Sequence, residues 1–114
     1  MTMKSRILVV DDDREMRDSL AHLLESAGFS VQEVKDGAQV VPRLAQYRPD
    51  AILCDVRMPQ LSGLELLKLL KGRGDTTPLV LMSAHGDVPM AVEAMQDGAY
   101  SFIEKPFEQR RLIA

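Results

Sequence analysis

"ILVVDDD", residues 7–13, joins four apolar residues directly to three aspartates. A continuously apolar, β-branched run of this length reads as a short strand buried on both faces. Carboxylates cannot share that environment, so the acids mark the point where the strand leaves the core. The next segment has helical spacing: Met16, Leu20, Leu23, Leu24 and Ala27, with Asp13 as the expected N-cap and Gly28 as the stop. A strand that runs straight into an amphipathic helix is the opening of a βαβ unit.

The same alternation continues along the chain. Phe29–Val34 reads as a second strand, with Phe29 and Val31 on one face; it is polar enough to lie at a sheet edge. "DGAQVVPRLAQYRPD" carries a second helix with Asp36 near its start, and Pro42 predicts a late start or a kink. Ala51–Cys54 is a third buried strand ending at Asp55, and "VRMPQLSG" is a loop punctuated by Pro59 and Gly63. Leu64–Lys71 is a third helix and Leu79–Met82 a fourth strand, opened by Pro78. After the loop "SAHGD", Asp87 caps a fourth helix over residues 88–97, with a thin apolar face of Ala91, Val92, Ala94 and Met95 and with Gly98 just past its end. Tyr100–Ile103 is a fifth strand, and "EKPFEQRRLIA" begins a fifth helix that is cut short at Ala114. Five strand–helix repeats predict an α/β fold: a doubly wound parallel sheet with right-handed crossovers and helices on both faces.

Composition agrees. The 114 residues are 46% hydrophobic and 27% charged, the balance of one globular domain over residues 1–114. A chain of this size buries roughly two-thirds of its unfolded surface. The net charge of −3 and the lack of a basic stripe argue against a nucleic-acid surface. The single cysteine, Cys54, excludes an internal disulfide and fits a reducing cytoplasm; it reads as core packing, facing away from Asp55. No apolar window is long enough for a membrane span, and the start "MTMKSR" lacks the apolar core of a signal peptide.

In open parallel sheets function gathers at the carboxyl ends of the strands. That rule brings together Asp11 and Asp12 from the first strand, Asp55 from the third, Ser83 from the fourth and Lys105 from the fifth. Each is unremarkable alone; acid pairs at strand ends are often solvated loop starts. Together they form three carboxylates, a hydroxyl and an ammonium. Clustered carboxylates tolerate one another around a hard cation, and an all-oxygen set favours Mg2+. A carboxylate can also act as nucleophile toward phosphorus, with a lysine and a hydroxyl neutralising the phosphoryl oxygens. The constellation reads as an aspartyl-phosphate site.

Four motifs, "VVDDD" (9–13), "DVRMPQLSG" (55–63), "MSAHGD" (82–87) and "GAYSFIEKPF" (98–107), resemble response-regulator receiver domains, the phosphoacceptor half of two-component signalling, and the likeness covers essentially the whole chain. The resemblance implies a (βα)5 flavodoxin-like fold with strand order 2-1-3-4-5. It implies Asp55 as phosphoacceptor, Asp12 as a direct Mg2+ ligand, Asp11 assisting, and the backbone carbonyl of Arg57 completing the protein ligands. Ser83 would be the switch hydroxyl, Lys105 the ammonium that meets the phosphoryl group, and Lys105–Pro106 a cis peptide. Phe102 stands at an aromatic switch position that is often tyrosine; lacking a hydroxyl, it could report phosphorylation only by packing. Arg57 and His85 occupy positions that tune phosphoryl lifetime in the family, with a plain surface residue as the other reading of His85, while His22 reads as a surface or half-buried residue. Asp13 has no chemical role in this scheme beyond capping, unless as an extra field source.

The implied mechanism is a two-state switch. A sensor histidine kinase donates a phosphoryl group to Asp55, the added charge draws in Ser83 and Lys105, and the fourth helix repacks. "AHGDVPMAVEAMQDGAYSFIEKPF" is most similar to receivers of sigma-54-dependent transcriptional activators of the nitrogen-regulation and dicarboxylate-transport types. That likeness implies C-terminal output domains beyond residue 114 and control through a receiver homodimer. A stand-alone receiver that works by docking is the alternative. A phosphatase of the haloacid-dehalogenase kind would need its nucleophile in a "DxD" on the first strand, and a flavodoxin-like cofactor site would place phosphate against three acids.

Overall fold

The computed structural model describes residues 5–58, 61–83 and 88–104 of the chain. β1 (Arg6–Val10) sits between β2 (Ser30–Val34) and β3 (Ala51–Asp55), parallel to both. Beyond β3 come β4 (Leu79–Ser83) and β5 (Ser101–Glu104), again parallel, so the order is β2-β1-β3-β4-β5. The helices are α1 (Arg14–Ser26), α2 (Val40–Tyr47), α3 (Gly63–Gly72) and α4 (Val88–Gln96). The expected fifth helix and the Asp87 cap lie outside the described residues.

Alternation along β1 explains its unbroken apolar run. Ile7 and Val9 pack with Leu53, Met82 and the α1 leucines Leu20 and Leu24. Leu8 and Val10 pack on the other face with Ile52, Cys54, Leu81, Val40 of α2, Leu66, Leu67 and Leu70 of α3, and Ala94 of α4. Both faces are covered, so every side chain from Leu8 to Val10 is fully buried. Cys54 belongs to the α2–α4 side, away from Asp55 as its place in the strand requires.

Local chemistry sets the element ends. Asp13 caps α1, its Oδ1 accepting from the Glu15 and Met16 amides at 3.0 and 3.4 Å. Gly28 comes next with φ +99°, the left-handed turn that releases the chain into β2. Pro42 does delay α2: a 3-10 turn at Gly37–Gln39 precedes the helix, and Pro42 is its third residue, where no intrahelical donor is required. Several expected boundaries shift. β2 and β5 begin at Ser30 and Ser101; the Phe29 amide still bonds back to Leu24 of α1, and the Tyr100 amide leads into the sheet by donating to Leu79, the first residue of β4. In α1 the buried small residue is Ala21, and Ala27 is the exposed C-cap. In α4 Ala94 is buried, whereas Val92 and Met95 are about half exposed.

α3 starts one residue earlier than its apolar spacing indicated. Ser62 accepts from the Glu65 amide at 3.1 Å, and the Glu65 carboxylate accepts from the Ser62 amide at 3.0 Å, a reciprocal capping box. Gly63 then donates to the Val56 carbonyl at 2.9 Å. A Cβ on Gly63 would stand 2.7 Å from the Asp55 carbonyl and 2.7 Å from Leu81 Cδ2. The helix N-terminus can therefore seat against the end of β3 only without a side chain.

This junction is open to two tests. Gly63→Ala should lose about 1–3 kcal/mol in urea unfolding, since backbone rather than a flexible side chain must give way; an unchanged midpoint would show that the strand end yields freely. The Ser62 amide and hydroxyl hold the Glu65 carboxyl below its usual range. Its contribution is thus present above the ordinary carboxylate pKa and fades as pH falls through the lowered one. The stability gap between the native chain and Glu65→Gln should narrow on acidification, and a gap independent of pH would contradict the capping role.

Candidate acidic site at the carboxyl edge of the sheet

β1, β3 and β4 end at the same rim. Asp11 directly succeeds the last residue of β1 with its amide still donating to the Val34 carbonyl at 3.2 Å, so it remains within the sheet and is 0% exposed. Its Oδ1 accepts from the Asp13 amide at 2.9 Å, turning the chain into α1. Asp12, between them, is exposed, and Asp55, last in β3, is half-buried. One carboxylate oxygen from each of Asp11, Asp12 and Asp55 lies within 4.8 Å of the others. The three consecutive acids therefore divide: two face Asp55 and the third caps the helix.

Ionised carboxylates about 4 Å apart repel by about 4 kcal/mol at an effective dielectric near 20. A typical net hydrogen bond returns only about 1 kcal/mol. Three such groups on one rim require positive charge, and a donor set made only of oxygens suits a hard divalent cation. The residues present fit such an ion.

Around the acids, the Arg57 amide points at Asp55 Oδ1 across 3.4 Å. Ser83 ends β4 with only 3% exposure, one residue beyond Met82, which is in register with Asp55. Phe102 in β5 is half-buried and packs against the cluster of Leu8, Cys54 and Leu81. An open groove of about 490 Å³ lies beside the segment that follows β3, lined by Val56, Arg57, Met58, Ser62, Leu64 and Met90. Lys105, the Lys105–Pro106 bond and His85 lie outside the described residues. His22 is exposed on α1, remote from the chemistry in sequence and facing solvent.

Sequence reasoning missed two participants. Arg17, on α1, donates from Nη1 to the Asp11 carbonyl at 2.7 Å, and its Nε lies 3.7 Å from Glu33 Oε1. Burial raises the Glu33 carboxyl above its usual pKa; Asp18 pushes the same way and Arg17 partly opposes. Neither residue sits in a recognisable motif, because one partner is a backbone carbonyl and the other is brought near by the packing of α1 beside β2.

Comparison with known proteins agrees with this geometry. The family model for the response regulator receiver domain matches residues 7–114. The transcriptional regulatory protein FixJ of Bradyrhizobium diazoefficiens is 50% identical over 114 residues, covering 100% of this chain and 56% of that protein. The C4-dicarboxylate transport transcriptional regulatory protein DctD of Rhizobium meliloti is 37% identical over 113 residues, covering 99% of this chain and 25% of its own length. The crystal structure of FixJ-N superposes with a TM-score of 0.90 at 39% identity, covering 98% of this chain and 90% of that one. This chain thus spans about half, or less, of the curated regulators it matches. With the sheet order, the acidic rim and a family match over almost its full length, the chain belongs to the response regulator receiver domains.

Proposed function

We propose that this domain is a phosphorylation-dependent switch whose acceptor is Asp55. The observation that carries the reading is the meeting of Asp11, Asp12 and Asp55 at the carboxyl edge of the sheet, with Asp55 only half-buried and so open to a donor. Asp11 and Asp12, with the Arg57 carbonyl and Asp55 itself, would hold Mg2+. When bound, the ion neutralises charge on the transferring phosphoryl oxygens.

The rest of the chemistry belongs to the chain. An Asp55 carboxylate oxygen attacks the phosphorus of a kinase phosphohistidine; the P–O bond forms as the P–N bond breaks, and its electron pair stays on the imidazole nitrogen. The Arg57 amide at Asp55 Oδ1 helps to orient the nucleophile. Ser83 offers its hydroxyl, and Lys105 its ammonium, to the new phosphoryl oxygens. Movement of Ser83 toward that group pulls on the end of β4 and so on the segment leading to α4. Phe102, packed on the same core, responds by rearranging its packing. Arg57 and His85 tune how readily water reaches the phosphoryl group.

The domain would work in the cytoplasm; its partners are a sensor histidine kinase and output domains of a longer regulator of transcription, with a receiver homodimer as the working assembly. Among the described residues no helix is long and apolar enough to cross a membrane. Sigma-54-dependent activation is the finer output reading; the motif similarity and the DctD match support it. A FixJ-like output is its rival, favoured by the higher identity. The length of the encoding gene separates them: this domain would fill about a quarter of a DctD-sized regulator and about half of a FixJ-sized one.

Incubation with Mg2+ and acetyl phosphate should add the mass of one phosphoryl group, stable in acid and labile in base. Asp55→Asn should abolish the adduct; an adduct that persists in the variant would exclude Asp55 as acceptor. Asp12→Ala should weaken Mg2+ binding by about 10-fold or more in a calorimetric titration, and an unaltered affinity would strike Asp12 from the ligands.

A further inference from the structure

The corner between β1 and α1 is held more tightly than its sequence indicates. The Asp11 amide donates to the Val34 carbonyl, the Asp11 carboxylate accepts from Asp13, and the Asp11 carbonyl accepts from Arg17 Nη1 at 2.7 Å. The Arg17 side chain is only 16% exposed. Its guanidinium is held in turn by Glu33, the neighbour of Val34 in β2. Arg17 and Asp11 are thus tied to adjacent residues of one strand end. A planar guanidinium with several fixed donors suits this two-sided contact, which the single ammonium of a lysine would not reproduce.

We propose that Arg17 is a positioning residue for the acidic site: by clamping the Asp11 carbonyl to the end of β2 it fixes the corner from which Asp11 and Asp12 present their carboxylates. The inference rests on reading those carboxylates as a divalent-cation site. Paired with Glu33, Arg17 adds little net charge to the rim, so what reaches the acids is the constraint. A bare electrostatic effect would have the opposite sign, since removing a cation beside three carboxylates should tighten binding of Mg2+. Partners that orient ligands typically change metal affinity by about 10- to 100-fold.

The test is a calorimetric titration with magnesium chloride of the native chain, Arg17→Met and Glu33→Gln, well below their melting temperatures. Arg17→Met keeps an apolar stem and removes the fork. It should weaken Mg2+ binding by about 10-fold. In acetyl phosphate labelling it should raise the half-saturating Mg2+ concentration by a similar factor while keeping the plateau rate. Glu33→Gln, which loosens only the anchor, should weaken binding by a smaller factor. Equal or tighter binding by Arg17→Met overturns the proposal, as does a lower plateau with an unchanged midpoint. If Arg17→Met does not fold, native affinity in Glu33→Gln overturns it. Absence of Mg2+ binding by the native chain would instead remove the cation reading on which the proposal stands.

Discussion

A strand covered on both faces can place a charge only at its ends. Nearly everything in this molecule derives from that constraint on β1, whose residues from Leu8 to Val10 are fully buried. The helices must cover both sides, so the connections must cross over, and all the strands point the same way. Their carboxyl ends then share one rim. Polar residues expelled from separate strands meet there although they are far apart in the chain. The site is a by-product of a core that refuses charge.

The rim is not merely a place where acids are discarded. Each acid is held by a different device: Asp11 by hydrogen bonds to its amide, carbonyl and carboxylate, Asp55 by its position as the last residue of a paired strand. The close seat of Gly63 against the Asp55 carbonyl links β3 to α3 without any side chain between them. Among the described residues, Asp11 and Asp55 are thus both fixed by backbone contacts at the ends of paired strands.

The sheet and its acids were legible in the sequence because both depend on short-range patterns. "ILVV" and "AILC" announce doubly covered strands, and Asp11, Asp12 and Asp55 stand directly after or at the end of them. Asp13 was readable as a cap for the same local reason. What escaped was long-range or backbone-mediated. Gly63 looked like loop punctuation and Ser62 like part of the same loop, and their capping and close approach appear only once α3 meets β3. Arg17 and Glu33 carry no motif at all; only the packing of α1 beside β2 makes them neighbours. The thin apolar face read on α4 is present, with Val92 and Met95 turned outward while Ala94 and the partly buried Met90 meet the core.

The register of β2 bears on how this domain behaves in a crowded solution. In a parallel ladder alternate residues turn their backbone groups to alternate neighbours. The Ser30 amide and the Val34 carbonyl both bond toward β1, so Ser30, Gln32 and Val34 spend their groups inward and Val31 and Glu33 turn theirs out. That outer edge offers the backbone groups of only two residues. A foreign strand would find few backbone amides to dock on. The side of the sheet nearest the acidic corner is thereby guarded against edge-to-edge aggregation by its brevity.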